Sequence, residues 1–269
     1  MKQNKASENI LTYSAVDIID VMFHMRNDAQ RDVLMRFFKT GKGEYGEGDQ
    51  FLGLRVPETR SVVKGARLKV PLSEISVLLE SEWHEVRLCG FLLLVEEMKA
   101  ALPKRKEPKT FRAERRREIA EFYLSHAHHA NNWDLVDLSC PKILGEWMMH
   151  PNVDSNLPKR DILYQLAKNE NLWLQRISIV STWTLIRHNE YEPTLKLANQ
   201  LLHHPHDLIH KAVGWMIREV GKQDINQLRK FLNNHASSMP RTTLRYAIER
   251  MDSMERMKWL NYKNLQDEI

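Results

Sequence analysis

KAVGWMI (211–217), RISIVSTW (176–183) and RYAIERM (245–251) each open on a basic residue and continue as small and apolar side chains at helical spacing. Their first residues lie 35 and 34 positions apart, a period in the range of stacked helix pairs. RLCGFLLL (87–94) begins another copy, and DLSCPKIL (137–144) fills the interval, 50 residues after Arg87 and 39 before Arg176. Outward from these units, helical periodicity covers 28–38, 57–68, 72–80, 83–101, 111–127, 132–149, 158–168, 172–188, 192–203, 206–221, 224–233, 240–251 and 254–265. Many of these segments start just after Pro, Asn, Ser or Asp, which suit the first turn. Within 28–38, Val33, Leu34, Phe37 and Phe38 form one apolar stripe. No segment alternates apolar and polar residues with β-branched enrichment. The expected fold is all-α, a right-handed α–α superhelix of repeats whose concave face is lined by cations. The expectation is a single domain over 1–269, with a helical cap over about 1–80 and repeats over about 81–269.

Composition narrows the function. The 269 residues are 42% hydrophobic and 28% charged, enough to bury a core. Ten Gly and ten Pro are too few for a collagen-like or many-turned β chain. A net charge of +5 favours a polyanionic partner. Cys89 and Cys140 form no CxxC pair and suit a reducing cytosol. MKQNKASENILTYS (1–14) lacks a signal-peptide apolar segment, and the longest clean apolar run, Phe91 to Val95, is far short of the roughly 20 residues that cross a bilayer. A cytoplasmic protein with no membrane partner is expected.

Several patterns invite chemistry and mostly decline it. GKGEYGEGD (41–49) contains G-x-G-x-x-G at Gly41, Gly43 and Gly46, but the dinucleotide fingerprint needs a preceding strand; a turn between helices is the better reading. His126, His128 and His129 form one cluster, and His203, His204, His206 and His210 another. His206 and His210 stand at i,i+4, yet two imidazoles without a carboxylate or thiolate make a poor metal site, so no metal is expected. PKRKEPKTFRAERRR (103–117) holds eight basic and two acidic residues, either a solvated loop entering a helix or a footprint for nucleic acid or acidic lipid.

Tryptophan placement is sharper. Trp133 and Asp137 share one helical face at i,i+4. Lys211, Trp215 and Arg218 stand at i, i+4 and i+7, bracketing an indole with cations. Trp173 and Trp183 have apolar neighbours and read as packing. In the repeat register Asp137 occupies the slot filled elsewhere by Arg87, Arg176, Lys211 and Arg245. It is either one half of an ion pair between repeats, for example with Arg176, or a carboxylate aimed at a positive centre.

NNWDLVDLS (131–139), NLWLQRISIV (171–180), KAVGWMIREVGK (211–222) and GEYGEGDQFLGLRVPETRSVVK (43–64) together resemble the HEAT-like-repeat DNA alkylation repair family, the AlkD-type alkylpurine DNA glycosylases. The resemblance spans roughly residues 20 to 260. It implies a metal-independent, cofactor-free, monofunctional glycosylase acting on double-stranded DNA that contains N3- or N7-alkylated purines, as a monomer without an obligate protein partner. It matches Asp137 to the catalytic carboxylate, Trp133 and Trp215 to the indoles flanking the damaged nucleotide's sugar, and Arg176 to a DNA-contacting arginine. Lys211, Arg218, Arg60 and Lys64 match phosphate-holding positions. Asn132 departs from relatives that carry an aromatic there. A non-catalytic binder of bent, branched or damaged DNA is the alternative.

Overall fold

The computed structural model describes residues 12–262; most of 1–14 and the end of the helix expected over 254–265 lie outside that range. The chain divides into two compact units, Met1–Ala100 and Ala101–Ile269. Among the described residues there is no strand, and an isolated bridge joins Gln50 to Trp83. No helix is long and apolar enough to cross a membrane. The all-α expectation holds.

The first unit carries α1 (Ala15–His24), α2 (Asp28–Phe37), α3 (Val56–Ala66), α4 (Leu72–Leu79) and most of α5 (His84–Ala101). Ser14 opens α1 with a full capping box, its hydroxyl accepting from the Asp17 amide while Asp17 accepts from the Ser14 amide. The stripe expected on α2 does not form a core face: α2 buries none of its residues, Val33 and Phe37 are exposed, and Phe38, just past the helix end, is buried. Phe38 instead stacks on Phe51, which stacks in turn on His84.

The segment 49–54 is built around two acids. Glu85 is 1% exposed and accepts the backbone amides of Leu52, Gly53 and Leu54 at 2.9, 2.9 and 3.0 Å. Asp49 is also buried, with His84 Nδ1 donating to one oxygen at 2.9 Å and Arg87 Nη2 to the other at 2.5 Å. Arg87 therefore belongs to the interior and not to a surface row of cations. Gly53 has φ +90°, and a Cβ there would lie 2.0 Å from the Asn27 carbonyl oxygen, so only glycine fits. The glycine-rich 41–49 segment is a turn between helices, and its own Glu44 and Glu47 take the Gly41 and Gly43 amides.

The second unit continues with α6 (Ala113–Ser125), a 3-10 turn (Ala127–His129), α7 (Trp133–Cys140), a π-helical turn (Pro141–Gly145) and α8 (Glu146–Met149). Then come α9 (Asp161–Ala167), α10 (Leu172–Val180), α11 (Thr182–Arg187), α12 (Glu192–Leu201), α13 (Asp207–Gln223), α14 (Ile225–His235), α15 (Arg241–Ala247) and α16 (Ser253–Leu260). Within it α10 packs on α7, α9 and α13, while α13 also packs on α12, α14 and α15. Gly214 permits the close approach of α15 to α13. A Cβ there would meet the Tyr246 Cβ at 2.5 Å and the Thr243 carbonyl at 2.6 Å, so α15 could not sit as it does.

Cys89 and Cys140 are both unpaired and fully buried. Burial pushes the Cys89 thiol up to about 12 and the Cys140 thiol higher still.

Candidate active site

The π-helical turn explains how α7 ends. Pro141 has no N–H, so the Asp137 carbonyl four residues earlier lacks its helical donor, and the wider π pattern starts at that point. Thr184 Oγ1 donates to the Pro141 carbonyl at 2.7 Å, locking the turn onto α11. A side chain at Gly145 would collide with the Ser181 carbonyl at 2.7 Å. At the other end of α7 Asn132 is the N-cap, its Oδ1 accepting the Trp133 amide at 2.9 Å. Asn132 is fully buried and its Nδ2 has no hydrogen-bond acceptor. The short helix is thus fixed at both ends, and it presents Trp133 and Asp137, half-buried, from a body whose remaining residues are largely buried.

Asp137 pairs with Arg176 of α10. Arg176 Nε donates to Oδ1 at 2.9 Å and Nη2 to Oδ2 at 2.7 Å, a bidentate fork. Its remaining nitrogen, Nη1, donates to the Leu208 carbonyl in the first turn of α13 at 2.7 Å. One guanidinium therefore ties α7 to α13. Leu208 stands seven residues before Trp215, two turns along the same face, and Lys211, Trp215 and Arg218 complete a half-buried stripe there. The Asp137 side chain keeps 15% of its surface exposed. Burial pushes its carboxyl above the usual range; Arg176 opposes that shift and Asp134, one turn earlier, adds to it.

Of the two readings of Asp137, the ion pair with Arg176 is present, and the side chain that carries it is only partly exposed. Arg176, expected as a DNA-contacting residue, is 6% exposed, and each guanidinium nitrogen is engaged inside the protein. Arg218 is also paired within the protein, Nη1 with the exposed Glu249 and Nη2 with the buried Glu219 at 3.4 Å. Lys211 pairs with Asp207 at 2.7 Å but stays 40% exposed. Arg60 and Lys64 lie in the first unit, exposed at i,i+4 on α3, and no ion pair joins either of them among the described residues.

Sequence reasoning passed over two residues. Asp134 is buried beside Asp137 and raises its pKa; its i,i+3 spacing was visible. Tyr123 of α6 is buried near the same helix, its hydroxyl 3.1 Å from Ser139 Oγ, and no local pattern points to it. In the second histidine cluster the ring nitrogens serve the backbone. His204 Nδ1 accepts the His206 amide, His206 Nδ1 caps the Leu208 amide at the start of α13, and His210 Nε2 meets the His204 carbonyl.

A solved structure described as a predicted DNA alkylation repair enzyme from Enterococcus faecalis is similar at 15% sequence identity and a TM-score of 0.59, covering 85% of this chain and 97% of its own. At that identity the likeness concerns the fold. No curated protein matches the sequence. Residues 18–251 match the family described as DNA alkylation repair enzyme, and the chain belongs to that family.

Proposed function

We propose that the protein is a DNA glycosylase that releases positively charged N3- and N7-alkylated purines from duplex DNA, with Asp137 as its catalytic carboxylate. The observation that carries this reading is a largely buried acid held rigidly by a two-pronged guanidinium, its side chain 15% exposed, one turn from a half-buried indole. An alkylated purine already bears a positive charge, so no acid has to protonate the leaving group. As the C1′–N bond breaks, its electron pair neutralises the base and positive charge builds on the sugar. The carboxylate stabilises that charge and orients the incoming water, which adds to C1′ and gives up its proton to leave an abasic site. Trp133 and Trp215 offer π-faces to the sugar cation, worth about 0.5–2 kcal/mol per contact. Arg176 acts through Asp137: it fixes both oxygens and keeps the carboxylate charged.

Asp137→Asn keeps the shape and removes the charge. Single-turnover release of 7-methylguanine from a methylated duplex should fall by about 10²–10³-fold, the cost of losing one preorganised electrostatic partner. Release at the wild-type rate overturns the assignment.

A second reading has its own support, since an Asp137 fully matched by Arg176 can serve purely to join α7 to α13. The protein would then bind distorted DNA without chemistry. Wild-type protein that binds alkylated duplex and releases no base establishes that alternative.

A further inference from the structure

The basic segment leading into α6 has no role in the site above, yet its position is fixed by an unusual device. Arg116 is 1% exposed, and among the described residues no carboxylate pairs with it. Its Nη1 donates to the carbonyls of Ala101, at 3.1 Å, and Phe111; its Nη2 donates to those of Lys109 and Pro151, at 3.0 and 2.8 Å. Burying a guanidinium without a counter-charge is costly, and burial holds its pKa below the usual arginine value. The four charge-assisted bonds offset that cost, and what they secure is the course of the loop 102–112 between its two ends.

The loop is tightened from within as well. Pro103 and Pro108 restrict its backbone. The Glu107 carboxylate turns back to accept the Lys104 amide at 2.8 Å, and Glu107 N–H donates to the Lys104 carbonyl at 2.9 Å. Its acid is thereby committed internally, whereas Lys104, Arg105, Lys106 and Lys109 are all exposed and have no ion pair among the described residues. No large apolar side chain of the loop is exposed, so nothing there is suited to enter a bilayer. Four unmatched cations within six residues, on a loop whose shape is set before any partner arrives, fit a regularly spaced row of phosphates.

We propose that this Arg116-pinned loop is a second DNA contact, gripping backbone phosphates of the duplex away from the lesion. It stands at the far end of α6 from Trp133: the start of α6 adjoins Pro151 after α8, and its other end leads through the 3-10 turn to α7. The 13 residues of α6 set that separation at about 20 Å. The loop therefore serves affinity and register, not the reacting nucleotide. This inference rests on duplex DNA as the partner in the proposed function, but its test needs no excision.

The test uses an undamaged labelled duplex, the full chain, and the variant Lys104→Ala, Arg105→Ala, Lys106→Ala, Lys109→Ala. Affinity is read by fluorescence anisotropy across a salt series. Each lost phosphate contact lowers the slope of log affinity against log salt by about 0.9. A fall of about two or more in the variant's slope supports the loop; a smaller fall overturns it. A control removes the same charge elsewhere on the unit, with Lys168, Lys230, Arg250 and Arg256 changed to Ala. An equal fall in the control also overturns the proposal, because net charge alone would then explain the effect. Loss of binding to phosphatidylserine vesicles with the DNA slope unchanged overturns it in favour of a lipid surface. If methylated duplex yields no free base while the slope falls as expected, the glycosylase reading fails and the loop stands.

Discussion

With both oxygens of Asp137 taken by one guanidinium, the charge on the acid depends on how well that fork is seated. Burial and Asp134 pull the carboxyl toward protonation, and Arg176 holds it ionised. The sign for activity follows directly. Its pKa is raised; with the ionised form as the proposed catalyst, activity should be lost as pH falls through a value above the ordinary aspartate value of about 3.9. Single-turnover base release measured from neutral to acid pH should show that limb in the wild type, and a flat residual rate in Asp137→Asn. Arg176→Lys replaces a planar fork by a point charge that cannot serve Asp137 and the Leu208 carbonyl in the same geometry. Its acid limb should move to higher pH. An unmoved limb would mean that Arg176 only joins helices. Arg176→Ala, which leaves a buried carboxylate uncompensated, should cost about 3–5 kcal/mol of stability by urea unfolding.

At the scale of elements, most helices were legible because each carries its own periodicity and start signal. Segments 72–80, 192–203 and 224–233 became α4, α12 and α14 within two residues at either end. The breaks were harder to read. The expected 132–149 helix is interrupted by the π turn, and 172–188 divides at Ser181 into α10 and α11. Pro141 held the first signal, since a missing N–H inside a helical run has to be absorbed somewhere. Ser181 gave none, because its side chain simply returns to the Ile177 carbonyl at 2.6 Å. The site divides along the same line. Trp133, Asp137 and Trp215 were marked by spacing, whereas the bonds from Arg176 to Leu208 and from Arg218 to Glu249 span 32 and 31 residues, which no local pattern couples. The α13–α15 crossing offers a sharp check. Alanine in a helix normally gains about 1 kcal/mol over glycine, so Gly214→Ala would stabilise an open site. Here overpacking against Tyr246 and Thr243 should reverse the sign and cost about 1–3 kcal/mol by urea unfolding. A variant more stable than the wild type would show that α15 yields readily.

At the scale of the whole molecule, the first unit carries a buried acid cluster that makes its stability depend on pH. There Asp49 is buried, which alone would raise its pKa, but His84 and Arg87 together bring it below the usual value. Its contribution to stability is therefore present above the unfolded value of about 3.9 and is lost as pH falls through the depressed folded value. Asp49→Asn should weaken the protein at neutral pH and flatten that acid loss, as measured by urea midpoints over a pH series. An undiminished acid loss would assign it to other carboxylates.

The two sulfhydryls give that experiment a resolution no spectroscopic signal of the entire chain provides. Each unit contains one, sealed from water and far too weakly acidic to react while its surroundings stay closed. A pyridyl disulfide label, which exchanges with exposed thiols even in acid because its leaving group is so weakly basic, thus records the opening of each half, and peptide mapping tells the two apart. Cys89 tagged ahead of Cys140 on acidification would date the loss of the Asp49 cluster, and simultaneous tagging would mean that both halves come apart as one cooperative event.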